Sequence, residues 1–299
     1  MDNQPLPTIT TPPTCAITGA AGYVGGFIRR KFEAEGWTVR PLTRSPRDDK
    51  SVAFQLGGNL PPGALSGCGT LIHCAYDFDQ FTMEKARAIN IAGTRKLLDA
   101  AHRDGVKKIV VISSISAFEG CKSVYGKAKL AIEKIALGAG AIVVRPGLVF
   151  SENGGAMFGS LVSQVEKSSL LPLIGTGDQI QYLVHEDDLA GLIFGLGSGL
   201  IPSPQGVITA AHDQGWTFRG ILEKIAASKN KKVRFLPIPW RLLWLALKTA
   251  ETLHAPIKFR SDSVVSLVNQ NPHPSFNELA LTGVTPRPFQ LADERHGIQ

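Results

Sequence analysis

The stretch Thr18-Gly19-Ala20-Ala21-Gly22-Tyr23-Val24-Gly25-Gly26 follows a short apolar run, Cys15-Ala16-Ile17, and opens a segment with helical spacing. A strand, then glycines at every third position, then a helix makes a cradle for nucleotide phosphates. The first glycine permits a tight reversal, the second lets a pyrophosphate approach the backbone, and the third brings helix and strand together. The unpaired N–H groups of the first helical turn then face the phosphates, aided by the helix dipole. Thr18, Gly19, Ala21, Gly22, Tyr23, Val24 and Gly25 are the residues this loop offers to a cofactor.

Strand-like and helix-like segments alternate behind it. Strands are expected over 15–18, 37–43, 52–56, 71–75, 106–113 and 141–150, and helices over 23–35, 81–102 and 125–137. Strands separated by helices pair in parallel through right-handed crossovers. The uninterrupted run Ile109-Val110-Val111-Ile112 suits a strand covered on both faces. After 150 the pattern loosens. Residues 151–178 are rich in glycine and serine, with one helical patch near 158–166. Helices follow over 187–196, 217–228, 240–253 and 261–268, with a last strand of the sheet at 207–210. A final helix is expected from the capping box Ser275-x-x-Glu278. The fold class is a doubly wound parallel α/β sheet with a smaller, mostly helical C-terminal lobe. We divide it into a tail at 1–13, a dinucleotide-binding domain at 14–150 plus about 180–215, and a substrate lobe at about 151–179 plus 216–299. Ligands of open α/β sheets lie at the carboxyl ends of the strands, where the lobe-building loops gather.

Composition narrows the class further. The 299 residues are 43% hydrophobic and 19% charged, which fits neither a disordered chain nor a coiled coil. The net charge of +7 describes either a solvated basic surface or an anionic ligand. Its densest runs, Arg29-Arg30-Lys31 and Lys231-Lys232, lack interleaved aromatics, so no nucleic acid partner is expected. Cysteines 15, 68, 74 and 121 have neither C-x-x-C nor metal spacing, and Cys15 and Cys74 sit in apolar runs as reduced core residues. The polar, proline-rich residues 1–13 read as a loose tail rather than a targeting segment, hence a cytoplasmic protein. Residues 236–253 are the most apolar stretch. Arg241, Lys248 and Glu251 interrupt it, and it is too short to be a transmembrane segment. It reads as an amphipathic helix packed on the lobe, with interfacial contact to lipid as the alternative.

Tyr125-Gly126-Lys127-Ala128-Lys129 places a phenol and an ammonium four residues apart. On a helix they share a face, about 6 Å apart at Cβ. An ammonium favours the phenolate and lowers the tyrosine pKa, which makes Tyr125 a general acid/base for a hydroxyl–carbonyl couple. By spacing alone, a surface Tyr and Lys on an amphipathic helix fit as well. Ser113-Ser114 closes a strand at the ligand edge of the sheet, where a hydroxyl can hold a substrate oxygen or make a local backbone bond. Ser116 is an alternative two residues on.

Together, Thr18–Gly25, His73-Cys74-Ala75, Ser114, Tyr125-x-x-x-Lys129 and Arg145-Pro146-Gly147 stand in the same order as in the short-chain dehydrogenase/reductase family. The chain resembles its extended, epimerase/dehydratase-like branch over residues 14 to 215, and more loosely beyond. The resemblance implies a Rossmann-type fold, with Tyr125 as catalytic acid/base and Ser114 holding the substrate oxygen. Lys129 would bind the nicotinamide ribose and tune Tyr125. Cys74 and Ala75 would border the cofactor, and Pro146-Gly147 would pass near the nicotinamide carboxamide. Asn90 matches a polar, structural helix position. In His185-Glu186-Asp187-Asp188 it implies a structural Asp188 and leaves His185 open. Three departures matter. Ser114 and Tyr125 are closer in sequence than usual for this branch. Ile115-Ser116 replaces the dehydratases' Asp-Glu pair. Gln179 and Gln181 stand where nucleotide-sugar enzymes often carry an arginine.

The end of the second strand bears on cofactor choice. An acid there would select NAD. This chain has Arg40-Pro41-Leu42-Thr43-Arg44-Ser45 and then Arg47, with Asp48-Asp49 delayed. A guanidinium grips a 2′-phosphate in fork geometry, so NADP is expected over NAD, with Arg44 as its reader. The expected activity is NADP(H)-dependent reduction, or epimerisation through a keto intermediate, at a secondary alcohol or ketone. The substrate is a small molecule; a sugar nucleotide and a lipid-linked compound both remain open. A cofactor-binding sensor on the same fold is the rival reading. A homodimer is expected through the helices at 81–102 and 125–137, with Ile132, Ile135 and Ala136 facing the partner.

Overall fold

The computed structural model describes residues 12–46, 48–152, 154–253, 255 and 259–291. The expected tail, except its last two residues, and Arg47 lie outside the described residues. The chain runs β1 (Thr14–Thr18), α1 (Tyr23–Ala34), β2 (Thr38–Thr43), β3 (Val52–Ala53), β4 (Thr70–His73), α2 (Met83–Ala86), a π turn (Arg87–Ile91), α3 (Ala92–Arg103), β5 (Lys108–Ile112), α4 (Val124–Gly138) and β6 (Ile142–Pro146). It continues through β7 (Leu148–Phe150), α5 (Ala156–Lys167), β8 (Leu170–Ile174), β9 (Ile180–His185), α6 (Glu186–Ser198) and β10 (Ile208–Ala210). The last elements are β11 (Gly215–Thr217), α7 (Phe218–Ser228), β12 (Arg234–Ile238), α8 (Trp240–Thr252), α9 (Ser261–Val268) and α10 (Asn277–Ala280).

Seven strands form one sheet in the order β10-β6-β5-β4-β1-β2-β3, parallel throughout. Strand residues alternate between two cores. Cys15, Ile17 and Ile72 pack under α1 and α6 with Phe27, Phe32 and Ile193. Ala16, Leu71 and Val143 pack under α3 and α4 with Leu97, Leu98, Ile132 and Ala136. Burial on both faces is why the strands read as continuous apolar runs. It also corrects one expectation: Ile132 and Ala136 belong to this core and offer nothing to a partner copy.

The expected strand at 141–150 is two strands in two sheets. At Gly147 an added Cβ would lie 2.1 Å from the Tyr182 carbonyl oxygen. The chain turns there, and β7 leaves the main sheet to pair with β9, which also pairs with β11. A small two-stranded sheet, β8 with β12, was not expected from the sequence; Pro172 and Pro237 interrupt both strands. A third core around Phe150, Phe158, Leu173, Ile221 and Phe289 joins these strands to α5 and α7. The capping box at Ser275 does not form. α10 begins two residues later without a side-chain cap, and Glu278 instead accepts from the distant Gly206 N–H at 3.1 Å. The helix expected over 81–102 carries the π turn at 87–91. Among the described residues, no helix is long and apolar enough to cross a membrane.

Candidate active site

The glycine loop joins β1 to α1. Gly19 adopts φ 68°, and its carbonyl accepts from Gly22 N–H at 2.9 Å. A Cβ on Gly25 would lie 2.2 Å from the Gly19 oxygen, and one on Gly19 3.0 Å from the Ala75 nitrogen. Neither point accepts a side chain without moving backbone, so the glycines let the loop, the helix and the end of β4 pack backbone to backbone. Beside it lies a cleft of about 430 Å³ lined by Ala21, Gly22, Tyr23, Arg29 and Arg30. The Tyr23 phenol donates to Glu186 at 2.7 Å and lies 3.3 Å from Ser151 Oγ. Burial, with Glu186 adding and Ser151 opposing, pushes its pKa up to about 12. Tyr23 therefore braces the loop against α6, and Val24 packs into the core beneath it.

A buried polar chain runs under this loop. Thr94 Oγ1 donates to the Asn90 carbonyl at 2.8 Å, so it accepts from His73 Nε2–H at 2.9 Å. His73 Nδ1 then accepts from Thr18 Oγ1–H at 2.7 Å, and Thr18 Oγ1 accepts from Cys74 and Ala75 N–H, both at 3.1 Å. Every proton in the chain is assigned. Burial, reinforced by the Lys129 charge, lowers the His73 pKa to about 3 and keeps the ring neutral. Asn90 adds a second clamp: its amide accepts from Asp77 N–H at 2.8 Å and donates to Asp77 O at 3.0 Å. Cys74 and Ala75 thus border the cradle through their backbone; burial pushes the Cys74 thiol up to about 12.

α4 carries Tyr125 and Lys129 on one face. Burial raises the Tyr125 pKa, outweighing the lowering by the neighbouring Ser114 hydroxyl. The expected lowering by Lys129 is not found. The Lys129 ammonium donates to Ile112 O at 2.8 Å and lies 4.8 Å from the Tyr76 ring centre. Burial lowers its own pKa to about 8. The three serines separate cleanly. Ser113 donates to Glu133 at 2.5 Å within a buried pair with Arg145, Ser114 meets Tyr125, and Ser116 bonds Ser266. A Cβ on Gly126 would lie 2.4 Å from Ser116 O, so this glycine lets the serine loop reach the helix.

Two features here have no local signal in the sequence. Tyr125 stacks on Phe78 at 5.7 Å and meets Tyr76 edge-on at 5.1 Å, so aromatics of the loop after β4 frame the phenol. Phe78 is 69% exposed. The start of α4 is capped from the C-terminal lobe: Asp262 accepts from Val124 N–H at 2.8 Å and Tyr125 N–H at 3.0 Å, while Ser123 accepts from Gly126 N–H. The orphan donors of the first turn are thereby satisfied.

The remaining expected residues fall as follows. The carbonyl of Pro146 accepts from Ile115 N–H at 3.0 Å, setting the Ser114 turn beside Gly147. Arg44 stands exposed just past β2 with no ion pair to any described residue, next to a buried, unpartnered Thr43 hydroxyl. Arg40 is held by the Ala64 and Ser66 carbonyls. His185 caps α6 and pairs with Glu152, and Asp188 grips Arg287.

The glycine cradle and the orphaned Thr43 hydroxyl fit a dinucleotide. The family model for the NAD dependent epimerase/dehydratase family matches residues 15–196. A ceramide reductase of Caulobacter vibrioides is 27% identical over 237 residues, covering 75% of this chain and 73% of that protein. A decarboxylating sterol-4-alpha-carboxylate 3-dehydrogenase of Bos taurus is 25% identical over 197 residues, or 56% of this chain and 55% of that one. The chain thus spans about half the length of the sterol enzyme. Its fold matches the solved structure of MoeE5 in complex with UDP-glucuronic acid and NAD, with a TM-score of 0.70 and 17% identity over 92% of this chain and 94% of that one. The chain belongs to the NAD dependent epimerase/dehydratase family and is an enzyme of oxidoreductase or isomerase type that works with a nicotinamide cofactor.

Proposed function

We propose that the protein is a cytoplasmic NADP(H)-dependent oxidoreductase that interconverts a ketone and a secondary alcohol on an apolar, lipid-like substrate. The observation that carries this reading is Tyr125 beside Ser114, on the helix face it shares with Lys129, under the aromatic frame of Tyr76 and Phe78. When bound, the nicotinamide supplies or accepts the hydride. The protein's own part is to manage the substrate oxygen. Ser114 orients it, and Tyr125 gives it a proton as the carbonyl becomes an alcohol, or takes one in reverse. The raised Tyr125 pKa keeps the phenol protonated at neutral pH, which suits reduction. Lys129, at the same helix face, is the candidate ribose ligand, released from Ile112 O to reach it. The unpaired Arg44 beside β2 supports a 2′-phosphate and hence NADP. An NADP preference in turn supports net reduction over epimerisation, because an epimerase regenerates its cofactor.

An apolar substrate is supported by the aromatic frame and by relatives whose names specify ceramide and sterols. Gln179 donates to the backbone at Ile174 and Gln181 to Ile180, and neither is the arginine that nucleotide-sugar enzymes often carry there, which weakens a sugar-nucleotide reading. Pairing of two copies through α3 and α4 would fall to exposed positions such as Leu137. The test is an NADPH-consumption screen across long-chain ketones, steroid ketones and sugar nucleotides. The expected result is turnover of an apolar ketone that Tyr125→Phe abolishes. Tight NADPH binding without turnover of any of them would favour the sensor reading instead.

A further inference from the structure

α8 has no buried residue. Leu242, Leu245, Thr249 and Leu253 lie at helical spacing on its outer side, and the three leucines are 62%, 56% and 74% exposed. Trp240 opens the helix, with Arg241 stacked on its ring at 5.6 Å. The exposed charges of the helix, Arg241 and Lys248, are both basic. Its one acid, Glu251, turns inward and accepts from Ser261 N–H and Oγ, both at 2.8 Å, with Lys248 3.6 Å away. Exposed Lys232 and Arg234 precede it on a chain of net charge +7. An apolar stripe whose exposed charged neighbours on the helix are both cations is the surface an anionic bilayer attracts, through buried apolar area and through charge.

α9 links α8 to the candidate active site. Glu251 anchors the start of α9, where Phe259 is exposed and Arg260 covers Phe81 at 4.2 Å. Phe81 lies in the loop whose Phe78 stacks on Tyr125. Asp262, next to Ser261, holds the first turn of the helix that carries Tyr125. Exposed Phe78, Phe81 and Phe259 thus lie on the segments that link the acid/base tyrosine to α8.

We propose that α8 is a docking surface for an anionic lipid bilayer, seating the mouth of the site at the interface from which an apolar substrate enters. Only the delivery role rests on the function proposed above; the docking itself does not. The test uses the full chain and vesicles of phosphatidylcholine alone or mixed equally with phosphatidylglycerol, read by co-sedimentation and by Trp fluorescence against Trp240→Phe. The expected result is binding to the anionic vesicles, weakened by salt, with a blue shift that Trp240→Phe lacks. Leu242→Glu/Leu245→Glu should abolish it. Arg241→Gln/Lys248→Gln should lower the partition coefficient by roughly 25-fold, about fivefold per cation. NADPH binding and the circular dichroism melt should not change in either variant, since the altered side chains point to solvent. The proposal is overturned if the wild type ignores anionic vesicles or if the leucine variant still binds them. It is also overturned if light scattering shows a dimer that the leucine variant splits, which would make this face a contact between copies. NADPH turnover without vesicle binding would leave the proposed function standing and remove this inference; vesicle binding without turnover would do the reverse.

Discussion

The Thr18 hydroxyl stands 2.7 Å from Nδ1 of His73 and also accepts the Cys74 and Ala75 N–H groups. One oxygen thereby fixes both the start of the glycine loop and the loop that frames Tyr125. Thr18→Val keeps the shape and removes that oxygen, leaving the Ala75 N–H and a ring nitrogen unpaired, while Cys74 N–H keeps the Thr18 carbonyl at 3.3 Å. We expect a loss of about 1–3 kcal/mol in urea unfolding, together with weaker NADPH binding because the cradle loosens.

His73 also sets a pH dependence. Its pKa is lowered to about 3 in the fold and is near 6.5 when unfolded. Between those values the unfolded chain binds a proton that the folded chain refuses, so stability is lost as pH falls from 6.5 toward 3. The contribution is about 1.4 kcal/mol per pH unit. A His73→Gln variant should be less stable at neutral pH yet show a shallower acid slope. Equal slopes in matched denaturation curves would reject this assignment.

Tyr125→Phe removes the phenolic oxygen and keeps the ring between Tyr76 and Phe78. Turnover should fall by roughly 10²–10⁴-fold, while calorimetry shows NADPH binding nearly intact. Ser114→Ala should impair turnover in the same pattern. Lys129→Met should weaken both. Because burial raises the Tyr125 pKa, ketone reduction should hold through neutral pH and decline only at alkaline pH, with alcohol oxidation rising there.

Arg44→Asp places an acid where a 2′-phosphate is expected. Losing a charge-assisted contact of about 1.5–3 kcal/mol corresponds to roughly 10–150-fold weaker NADPH binding, with NADH unchanged or tighter. Parallel fluorescence titrations of the two cofactors decide it; a wild-type preference for NADH would remove the arginine argument.

Asp262→Ala uncaps the helix that carries Tyr125. A cost of about 1 kcal/mol is expected, and kcat should drop while NADPH affinity stays the same. Asp262→Asn, which keeps one acceptor, should restore part of kcat. If kcat and melting temperature both stay at wild-type values in the alanine variant, the cap is idle.

Local spacing made the central sheet and the Tyr-x-x-x-Lys pair readable from the chain alone. A glycine triplet before a helix and a buried apolar run each announce themselves within ten or so residues. What escaped is long-range. Nothing near Ser113 says that it turns to Glu133 while Ser114 turns to Tyr125; both are serines at a strand end. Asp262 lies 138 residues from Val124, and only the tertiary fold brings them together. Gly147 looked like a glycine inside one strand, because the carbonyl of Tyr182 that crowds it arrives from β9. The lowered tyrosine pKa failed for a similar reason: helical spacing brings Lys129 to the same face, but burial by the tertiary fold raises the Tyr125 pKa, and the Lys129 ammonium donates to the Ile112 carbonyl.

The π turn at Arg87–Ile91 is one residue too many for a regular helix. Each residue advances an α-helix by about 100°, so the extra one acts as a phase shift between two stretches with different obligations. The turn itself carries Asn90, which clamps the loop at Asp77. After it, Gly93, Thr94, Leu97 and Leu98 keep step with the sheet and with His73. Deleting one residue here would repair the helix and put the two out of phase. The irregular turn is therefore a timing device, and a straighter helix would be the damaged one.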